Sequence, residues 1–392
     1  MRHLHKWANK TIAEIAAVGG GSGFPNAYQG QSSGDYPFIK VSDLNLPGNE
    51  RLVVNANHWV SEIVRKKLKA KVFPVNTVVF AKVGGALLTN KRRILTRDTI
   101  IDNNMMALTP SAIHAKYLYQ TLLTIDLSRY SQEGAVPSIN GARVGAIVID
   151  LPPLPEQQKI AEILGKWDES LEKLGALIAA KLHRKQALKQ QLLTGHRRLL
   201  GFTKPWSKVQ LSDVAEECSE RNRELLDRTR LYAVTKANGM VPMRENVQGK
   251  TINRCLLVEQ DWFAYNPMRI NIGSIARWEG ESPVMVSPDY VVFRTNKSHL
   301  LSDYLNHLRR GSEWAYFVGA AGNGSVRVRI WFDDLGCFKF LLPPVDEQRA
   351  IADILDTADT ELRLLRQQRE ALDQQKRGLM QQLLTGKVRV TV

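Results

Sequence analysis

Residues Leu151–Gly195 read LPPLPEQQKIAEILGKWDESLEKLGALIAAKLHRKQALKQQLLTG, and residues Leu342–Gly386 read LPPVDEQRAIADILDTADTELRLLRQQREALDQQKRGLMQQLLTG. The two stretches align without a gap at an offset of 191, and 21 of the 45 positions are identical. Chance similarity between two amphipathic helices would not preserve LPP and EQ at one end and QQLLTG at the other. The repeat therefore predicts a duplicated structural frame.

Each copy is predicted to be one long helix. A proline pair precedes it, and the glycine of the closing Thr-Gly can take the left-handed stop position at Gly195 and Gly386. About 38 residues at about 1.5 Å each make a helix of roughly 57 Å. The apolar residues follow a 4–3 coiled-coil spacing, which polar residues interrupt near Lys185 and Lys376. An isolated helix would leave this apolar stripe exposed to water, so we expect the two helices to pair with each other. An intermolecular coiled coil is the alternative.

A fainter repeat marks where two further domains begin. Trp7 and the residues 11–16 resemble Trp206 and the residues 210–215, at an offset of 199. Between these starts and the helices the two copies hardly resemble each other. The order is therefore domain, helix, domain, helix, with predicted boundaries at 1–150, 151–198, 199–341 and 342–392.

The two domains are predicted to be mixed α/β. β-rich runs bounded by Gly, Pro, Asn or Asp occur at 36–41, 77–80, 146–149 and 290–293. Short amphipathic helices are expected near 112–125 and 298–310. The fold class is thus α/β, with two mixed domains joined by two long antiparallel helices that form a coiled coil with approximate two-fold symmetry.

The charge favours a polyanionic partner. The chain has 54 Lys+Arg against 39 Asp+Glu, a formal net charge of +15. The excess is spread over both domains and not confined to a basic tail, which suits a folded binder. The sequence shows no long apolar run and its N-terminus has no apolar signal-peptide core, so a cytoplasmic location is expected.

If the helices pair antiparallel, the two domains are related by an approximate two-fold axis. A repressor dimer places its two identical DNA-reading domains in the same way, but here the two domains differ. Because the domains differ, the expected target is two unrelated short DNA sequence blocks separated by a spacer of fixed length. The repeated helices would also offer equivalent docking surfaces to two copies of a partner.

The LPP…EQ helix start, the QQLLTG end and the domain–helix–domain–helix layout resemble the specificity subunits of type I restriction–modification systems. The segment Tyr265–Ile275, YNPMRINIGSI, is similar to one found in their target recognition domains. The resemblance implies a non-catalytic, DNA-reading subunit that docks two methyltransferase subunits, which modify adenine at N6, and through them two restriction/translocase subunits. It also implies that S-adenosylmethionine, ATP and Mg²⁺ are bound by the partner subunits and that this chain binds no cofactor.

The sequence contains no pattern that indicates chemistry of its own. Gly19–Gly23 is glycine-rich but has no strand–helix unit around it, so a loop is the favoured interpretation. Asn266-Pro267-Met268-Arg269 lacks the second proline and the aromatic residue of an amino-group methyltransferase motif. There is no phosphate-binding GxxxxGK[ST] loop and no clustered metal-ligand set, so no catalytic or metal residues are predicted. Two alternatives stay open: a cryptic DNA-modifying enzyme, and a coiled-coil scaffold without a DNA role.

The candidate DNA-binding residues are basic clusters, which can contact phosphate, and Arg, Asn and Ser side chains in turns, which can read bases. A solvated helix face is the alternative for the first basic cluster. The candidates are Arg65, Lys66, Lys67, Lys69, Lys91, Arg92, Arg93, Arg97, Ser138, Asn140, Arg143, Arg269, Asn271, Arg277, Asn323, Ser325, Arg327 and Arg329.

The candidate partner-binding residues are those that recur at both helix starts. An acidic group there also favours the helix dipole, so capping alone is an alternative to capping combined with docking. The candidates are Pro152, Pro153, Glu156, Gln157, Pro343, Pro344, Glu347 and Gln348.

Overall fold

The structure is a computed structural model that describes residues 7–132, 136–244, 251–320 and 329–391. The chain divides into two compact units, residues 1–177 with 366–392, and residues 178–365. Each unit contains one α/β domain, part of the first long helix and part of the second. Within the described residues, no helix combines the length and the apolar character needed to cross a membrane.

The first unit holds a mixed α/β domain. Its strands are Ala8–Thr11 (β1), Ala16–Gly20 (β2), Tyr36–Ile39 (β3), Leu52–Val53 (β4), Trp59–Val60 (β5), Val72–Phe73 (β6), Val78–Ala81 (β7), Arg92–Leu95 (β8), Thr99–Ile101 (β9), Met105–Pro110 (β10) and Val148–Leu151 (β11). Its short helices are Ile12–Ile15 (α1), Glu62–Leu68 (α2), Gly84–Leu88 (α3), Ala115–Thr124 (α4) and Gly141–Gly145 (α5), with 3-10 turns at Asn26–Tyr28, Val41–Asn45 and Leu127–Tyr130. Strand order is β2-β10-β7-β8-β4 in one sheet and β5-β3-β9-β6 in another, and β1 pairs with β11.

The second unit has the same kinds of element, and its main sheet repeats the antiparallel order of β2-β10-β7-β8 without a counterpart of β4. Its strands are Ser207–Gln210 (β12), Ala215–Cys218 (β13), Tyr232–Thr235 (β14), Gly239–Pro242 (β15), Leu256–Val258 (β16), Phe263–Tyr265 (β17), Ile275–Arg277 (β18), Val284–Val286 (β19), Val291–Thr295 (β20) and Lys339–Leu342 (β21). Its short helices are Leu211–Val214 (α7), Ser302–Leu308 (α8), Ser312–Ala320 (α9) and Phe332–Gly336 (α10), with 3-10 turns at Arg228–Arg230 and Ile270–Ile272. The main sheet has the order β13-β20-β17-β18, beside the pairs β12-β21, β14-β15 and β16-β19.

The predicted long helices are Leu154–Leu193 (α6) and Val345–Leu383 (α11). They pair with each other within the chain and run antiparallel. In the first unit Ile160 and Leu164 share a core with Met380 and Leu383. In the second unit Lys181 and Lys185 bond Glu361 and Asp359, so residue numbers rise along one helix as they fall along the other. The predicted glycine stops are also confirmed, since Gly195 and Gly386 have φ angles of 71° and 68°.

The central strand of each domain is buried on both faces, because alternate side chains along a strand point to opposite faces. In the first unit Val78 and Phe80 pack in the core that contains the long helices, while Val79 packs in a separate core on the other face. In the second unit Phe263 packs in the core that contains the long helices, while Ala264 packs in a separate core on the other face. Each domain therefore uses one face of its main sheet to bury the apolar stripe of its helices.

The two domain starts have the same structure, as the fainter repeat predicted. Each is a strand, one helical turn and a second strand: β1-α1-β2 and β12-α7-β13. The first strand pairs antiparallel with the strand that precedes a long helix, aligning Ala8 with Leu151 and Ser207 with Leu342. The duplicated frame is therefore a set of equivalent contacts as well as a sequence pattern.

Candidate DNA interface and domain attachment sites

A buried carboxylate joins three separate parts of the first unit. Glu156, which is 3% exposed, accepts a hydrogen bond from Trp7 Nε1 at 3.1 Å. It also accepts bonds from Arg389 Nε at 2.6 Å and Nη2 at 2.7 Å. The Arg389 guanidinium lies 5.2 Å from the indole centroid. Burial acts to raise the pKa of Glu156, but the bonds from Arg389 and Trp7 outweigh it and hold the pKa below its ordinary value.

The second unit repeats this arrangement. Glu347, fully buried, accepts hydrogen bonds from Trp206 Nε1 at 2.9 Å and from Arg198 at 2.9 and 2.6 Å. Glu347 and Arg389 lie 191 residues after Glu156 and Arg198, and Trp206 lies 199 residues after Trp7. We call each set, Trp7–Glu156–Arg389 and Trp206–Glu347–Arg198, a carboxylate clamp.

The arginine of the clamp is a functional residue that the sequence analysis missed. In both copies it stands three residues after the Thr-Gly that ends the helix, as LTGHRR and LTGKVR. The quoted 45-residue repeat ends at the glycine. Extending it by three residues would have found the arginine but not its glutamate partner, which is distant in the sequence.

The adjacent glutamine attaches a different element of each domain. Gln157 Oε1 accepts a hydrogen bond from the backbone N–H of His114 at 2.8 Å, and its Nε2 donates to the carbonyl of Pro152 at 2.8 Å. Gln348 in the same way accepts from the N–H of Leu301 at 2.9 Å and donates to the carbonyl of Pro343 at 2.8 Å. His114 and Leu301 directly precede α4 and α8. The Glu-Gln pair therefore anchors its domain to the helix.

These contacts explain the helix-start motif by structure within the chain. Glu156, Gln157, Glu347 and Gln348 are at most 3% exposed, and their polar atoms bond within their own unit. Of the predicted docking prolines, Pro152 and Pro343 are buried, Pro344 is half-buried and Pro153 is exposed. The buried side chains present no surface to a partner, so their recurrence reflects domain attachment. Partner docking at this motif stays a prediction only for the prolines that are not buried, Pro153 and Pro344.

The first basic cluster lies on and just after α2. Lys66, Lys67 and Lys69 are exposed, whereas Arg65 is half-buried and bonded to Glu62 at 2.6 and 2.7 Å. Lys67 also lies over the Tyr28 ring at 5.6 Å. Lys66 pairs with the same Glu62 at 3.6 Å, but its side chain is 70% exposed. The three lysines are therefore accessible to a phosphate, whereas Arg65 is largely held by its structural partner.

The second basic cluster needs a correction. Arg92 is 1% exposed and Arg93 9% exposed, and both donate to backbone carbonyls, of Ile125 and Leu44 respectively. Burial lowers the pKa of Arg92 to about 10. These two residues belong to β8, an interior strand between β7 and β4, and their burial does not fit a contact with DNA. Lys91 and Arg97, at either end of that strand, are exposed.

The turn candidates of the first domain have local structural roles. Asn140 caps α5, since its side chain accepts from the N–H of Arg143 at 2.9 Å. Arg143 donates to the carbonyls of Tyr130 and Ser131. Ser138 forms bridges with Val83 and Gln132. Asn140 and Arg143 are nevertheless exposed, so their outer faces remain accessible.

The turn candidates of the second domain divide into three groups. Arg269 and Asn271 are exposed beside the Ile270–Ile272 turn, and Arg329 is exposed over the Trp331 ring. Arg277 is mostly covered and pairs with Asp303, Asp261 and Glu279. The remaining three candidates lie outside the described residues; they are Asn323, Ser325 and Arg327.

Two α/β domains, each attached to a pair of antiparallel helices, are also found in known proteins. The chain superposes on the type I restriction–modification S subunit of M. genitalium with a TM-score of 0.62 and 14% identity, covering 98% of each chain. A second structure, from work on complex assembly and conformational transition of the type I R-M system, superposes with a TM-score of 0.55 and 15% sequence identity. The match covers 98% of this chain and 99% of that one. These likenesses establish the fold.

Sequence comparison agrees with the fold. Residues 5–181 match the family described as type I restriction modification DNA specificity domain. The putative type I restriction enzyme MjaX specificity subunit of Methanocaldococcus jannaschii is 22% identical over 401 residues, covering 93% of this chain and 90% of that protein. The EcoR124I/EcoR124II specificity subunit of Escherichia coli is 27% identical over 205 residues, about half of each chain. Residues 5–181 thus match a type I restriction–modification DNA specificity domain, and nearly the whole chain is similar to a specificity subunit of these systems, as the residues had indicated. The relatives are named as specificity subunits of type I restriction enzymes, which are the non-catalytic components of those enzymes.

Proposed function

We propose that this subunit reads a bipartite, non-palindromic DNA target with a fixed spacer, one block by each domain. The observation that carries the proposal is the duplicated attachment of two diverged domains. Both carboxylate clamps and both glutamine contacts recur in the two units. The strands outside the shared four-stranded part of the main sheets are paired differently, as the sheet β5-β3-β9-β6 in one domain and as the pairs β14-β15 and β16-β19 in the other. Two domains that are attached to the helices in the same way but differ in sequence can be presented to DNA with the same geometry and read two different base sequences.

The charge distribution supports DNA as the partner of both domains. The first offers the exposed Lys66, Lys67, Lys69, Lys91 and Arg97, and the second offers Arg269 and Arg329. Cations of this kind contact phosphate and position a protein on the duplex without reading its sequence. Base reading would then come from neighbouring exposed groups such as Asn140, Arg143 and Asn271.

We place the docking of two methyltransferase subunits on helix positions that are both exposed and repeated. Seventeen aligned positions of the two long helices are exposed in both copies, and fourteen of them carry different residues. The three identical ones are Ala180/Ala371, Gln190/Gln381 and Gln191/Gln382. Among the described contacts these four glutamine side chains have no hydrogen-bond partner, so no contact within the chain explains their identity. Two equal exposed patches suit two copies of one partner.

The catalytic groups belong to the partners in this proposal. S-adenosylmethionine would bind the methyltransferase subunits for N6-adenine methylation, and ATP and Mg²⁺ would serve restriction/translocase subunits that join through them. This chain's own residues bind DNA, orient each domain on its helices and hold the partners.

The experiment is methylation mapping by single-molecule sequencing in cells that express this chain with its cognate methyltransferase. The expected result is a new N6-methyladenine motif of two specific blocks with a constant gap. A continuous motif would reject the bipartite geometry. Absence of any motif, with both proteins soluble, would reject the proposed function.

A further inference from the structure

The second unit contains a cleft of about 730 Å³ between the β14–β15 turn, the Ile270–Arg277 segment and helices α8 and α9. It lies next to the YNPMRINIGSI segment but is lined mostly by residues that the sequence analysis did not single out. Its charged lining consists of Lys236, Arg277, Arg309, Arg310 and Glu279. Four cations against one carboxylate make this a strongly positive cavity.

Two of these cations are exposed and unpaired among the described residues. Lys236 sits in the turn between β14 and β15, and its aliphatic stem packs on Gly273, where an added Cβ would lie 3.2 Å from Lys236 Cγ. Gly273 has a φ of 96°, so the loop can pass close beneath the lysine. Arg310 follows α8 and lines the same cleft. The two head groups are therefore free for a ligand.

The third cation, Arg309, is mostly covered and has only neutral acceptors. Its Nε and Nη2 donate to Asn306 Oδ1 at 3.0 and 2.7 Å, and its Nη1 donates to the carbonyl of Ile275 at 3.0 Å. Burial, together with the nearby Arg310 and Arg277, lowers the pKa of Arg309 to about 9. A cation held in this way gains from a negative charge that enters the cleft.

Arg277 differs from the other three because it is already neutralised. It pairs with Asp303, with Glu279 at 3.3 Å and with Asp261 at 3.5 Å. The excess of positive charge therefore belongs to Lys236, Arg309 and Arg310. Lys189, which donates to the carbonyl of Arg310, belongs to the same positive region, and burial with the neighbouring Lys185 and Arg310 lowers its pKa to about 8.

We propose that this cleft binds a phosphate group, with Lys236 and Arg310 as direct ligands and Arg309 as a buried source of positive potential. The amides of Asn238, Asn271 and Asn306 line the same space and supply neutral donors for the remaining phosphate oxygens. The phosphate can belong to a DNA strand or to a free nucleotide. In the first case the inference rests on the proposed DNA-reading function and locates a backbone contact of the second domain.

The test uses the full chain and the double variant Lys236→Gln/Arg310→Gln. The matched control is Lys204→Gln/Lys208→Gln, which removes two exposed cations of the same unit outside the cleft. Duplex affinity is measured by fluorescence anisotropy over a range of salt concentrations, and binding of inorganic phosphate and of ADP by calorimetry. The single variant Arg310→Gln provides a second test should the double variant unfold, as judged by its thermal transition.

If the phosphate belongs to DNA, the cleft variant should reduce the steepness of log K against log salt by about 0.9, since the cleft contacts one phosphate and each phosphate contact contributes about 0.9. The control should lower it less. If the phosphate belongs to a free nucleotide, the slope should match that of the control while calorimetric binding of ADP or phosphate is lost. Equal behaviour of cleft and control variants in both assays overturns the inference. Methylation mapping of the cleft variant separates the two proposals, because an intact bipartite motif with no phosphate binding leaves the proposed function standing.

Discussion

The indole Nε1 of Trp7 lies 3.1 Å from Glu156 Oε2, although 149 residues separate them in the sequence, and the same bond recurs between Trp206 and Glu347 at 2.9 Å. In each case an arginine completes the site from a chain segment that follows the end of a long helix. Every domain is thus held at its first strand, at the start of one helix and just beyond the end of a helix.

Replacing one clamp should affect only its own domain. Glu156→Gln removes the charge that Arg389 and Trp7 bond, and should lower the free energy of unfolding by about 1.5–3 kcal/mol, as for hydrogen bonds to charged groups. Methylation mapping should show weakened recognition of the block read by the first domain only. Glu347→Gln is the matched control and should weaken the other block. Equal loss at both blocks from either variant would contradict independent attachment.

The polar interruption of the coiled coil should contribute unequally in the two units. Asp168 and Lys376 pair at 2.5 Å with side-chain exposures of 11% and 8%, while the equivalent pair Asp359 and Lys185 is 40% and 16% exposed. Asp168→Asn leaves a buried ammonium unpaired and should cost about 3–5 kcal/mol. Asp359→Asn should cost about 0–1 kcal/mol, because the Asp359 carboxylate is 40% exposed and solvent screens its charge. Denaturant unfolding of both variants measures the difference, and similar costs would be inconsistent with this reasoning.

The second unit should lose stability in mild acid. Burial lowers the pKa of His307, and the positive charge of Arg310 lowers it further. The hydrogen bond to Asp356 at 2.8 Å and the negative charge of Asp359 raise the pKa, but only partly offset the effect of burial. The unfolded chain then binds the proton more readily than the folded one. The contribution of neutral His307 to the free energy of unfolding is fully present above the unfolded pKa of about 6.5, and it is lost as the pH falls below that value towards the lower folded pKa.

The first unit provides the control for this pH dependence. Gln120 occupies the position on α4 that His307 occupies on α8, and bonds Asp168 at 2.5 Å. His307→Gln should therefore flatten the loss of stability between pH 8 and pH 5.5, measured by urea unfolding. Gln120→His should introduce such a loss in the first unit. An unchanged pH profile in the His307 variant would show that other groups cause it.

The first basic cluster and β8 should respond differently to the loss of charge. Substituting Lys66, Lys67 and Lys69 by Gln should reduce the salt slope of duplex binding by up to about 2.7, at about 0.9 per contact, with the unfolding free energy nearly unchanged. Arg92→Gln should instead cost about 1–3 kcal/mol of stability, because it leaves buried polar groups unsatisfied. Anisotropy titrations and thermal unfolding of both variants decide this. A large loss of DNA affinity in a fully folded Arg92 variant would show that Arg92 contacts DNA after all.

Each exposed glutamine pair should hold one partner subunit. Substituting Gln190 and Gln191 by Ala should reduce the complex from two methyltransferase copies to one, and substituting Gln381 and Gln382 should do the same. The control is Gln186→Ala with Arg377→Ala, an aligned position exposed in both helices but not identical. Mass photometry of the purified complexes counts the copies. Retention of two copies in both glutamine variants would rule out docking at these positions.

Several parts of the fold could be predicted because their signals are local. The 4–3 apolar spacing specified the long helices, proline and glycine marked their ends, and the offset of 199 identified the two equivalent domain starts. Strands such as Tyr36–Ile39 and Val291–Thr295 lie within a residue or two of the predicted runs. Helix and strand periods depend on neighbours a few residues apart, so one sequence is enough to recognise them.

The roles of charged residues could not be predicted, because burial is a property of the tertiary structure. Lys91 and Arg92 are adjacent and equally basic, yet one is exposed and the other lies in the sheet. The same limit applies to Glu156 and Glu347, which are helix-start acids in the sequence but carboxylates buried against Trp and Arg in the fold. The sequence by itself determined the duplicated frame, its helices and the diverged domains between them. Only the tertiary structure decided which polar groups are internal attachments and which remain exposed to DNA or a partner, because desolvation depends on long-range packing that no local pattern records.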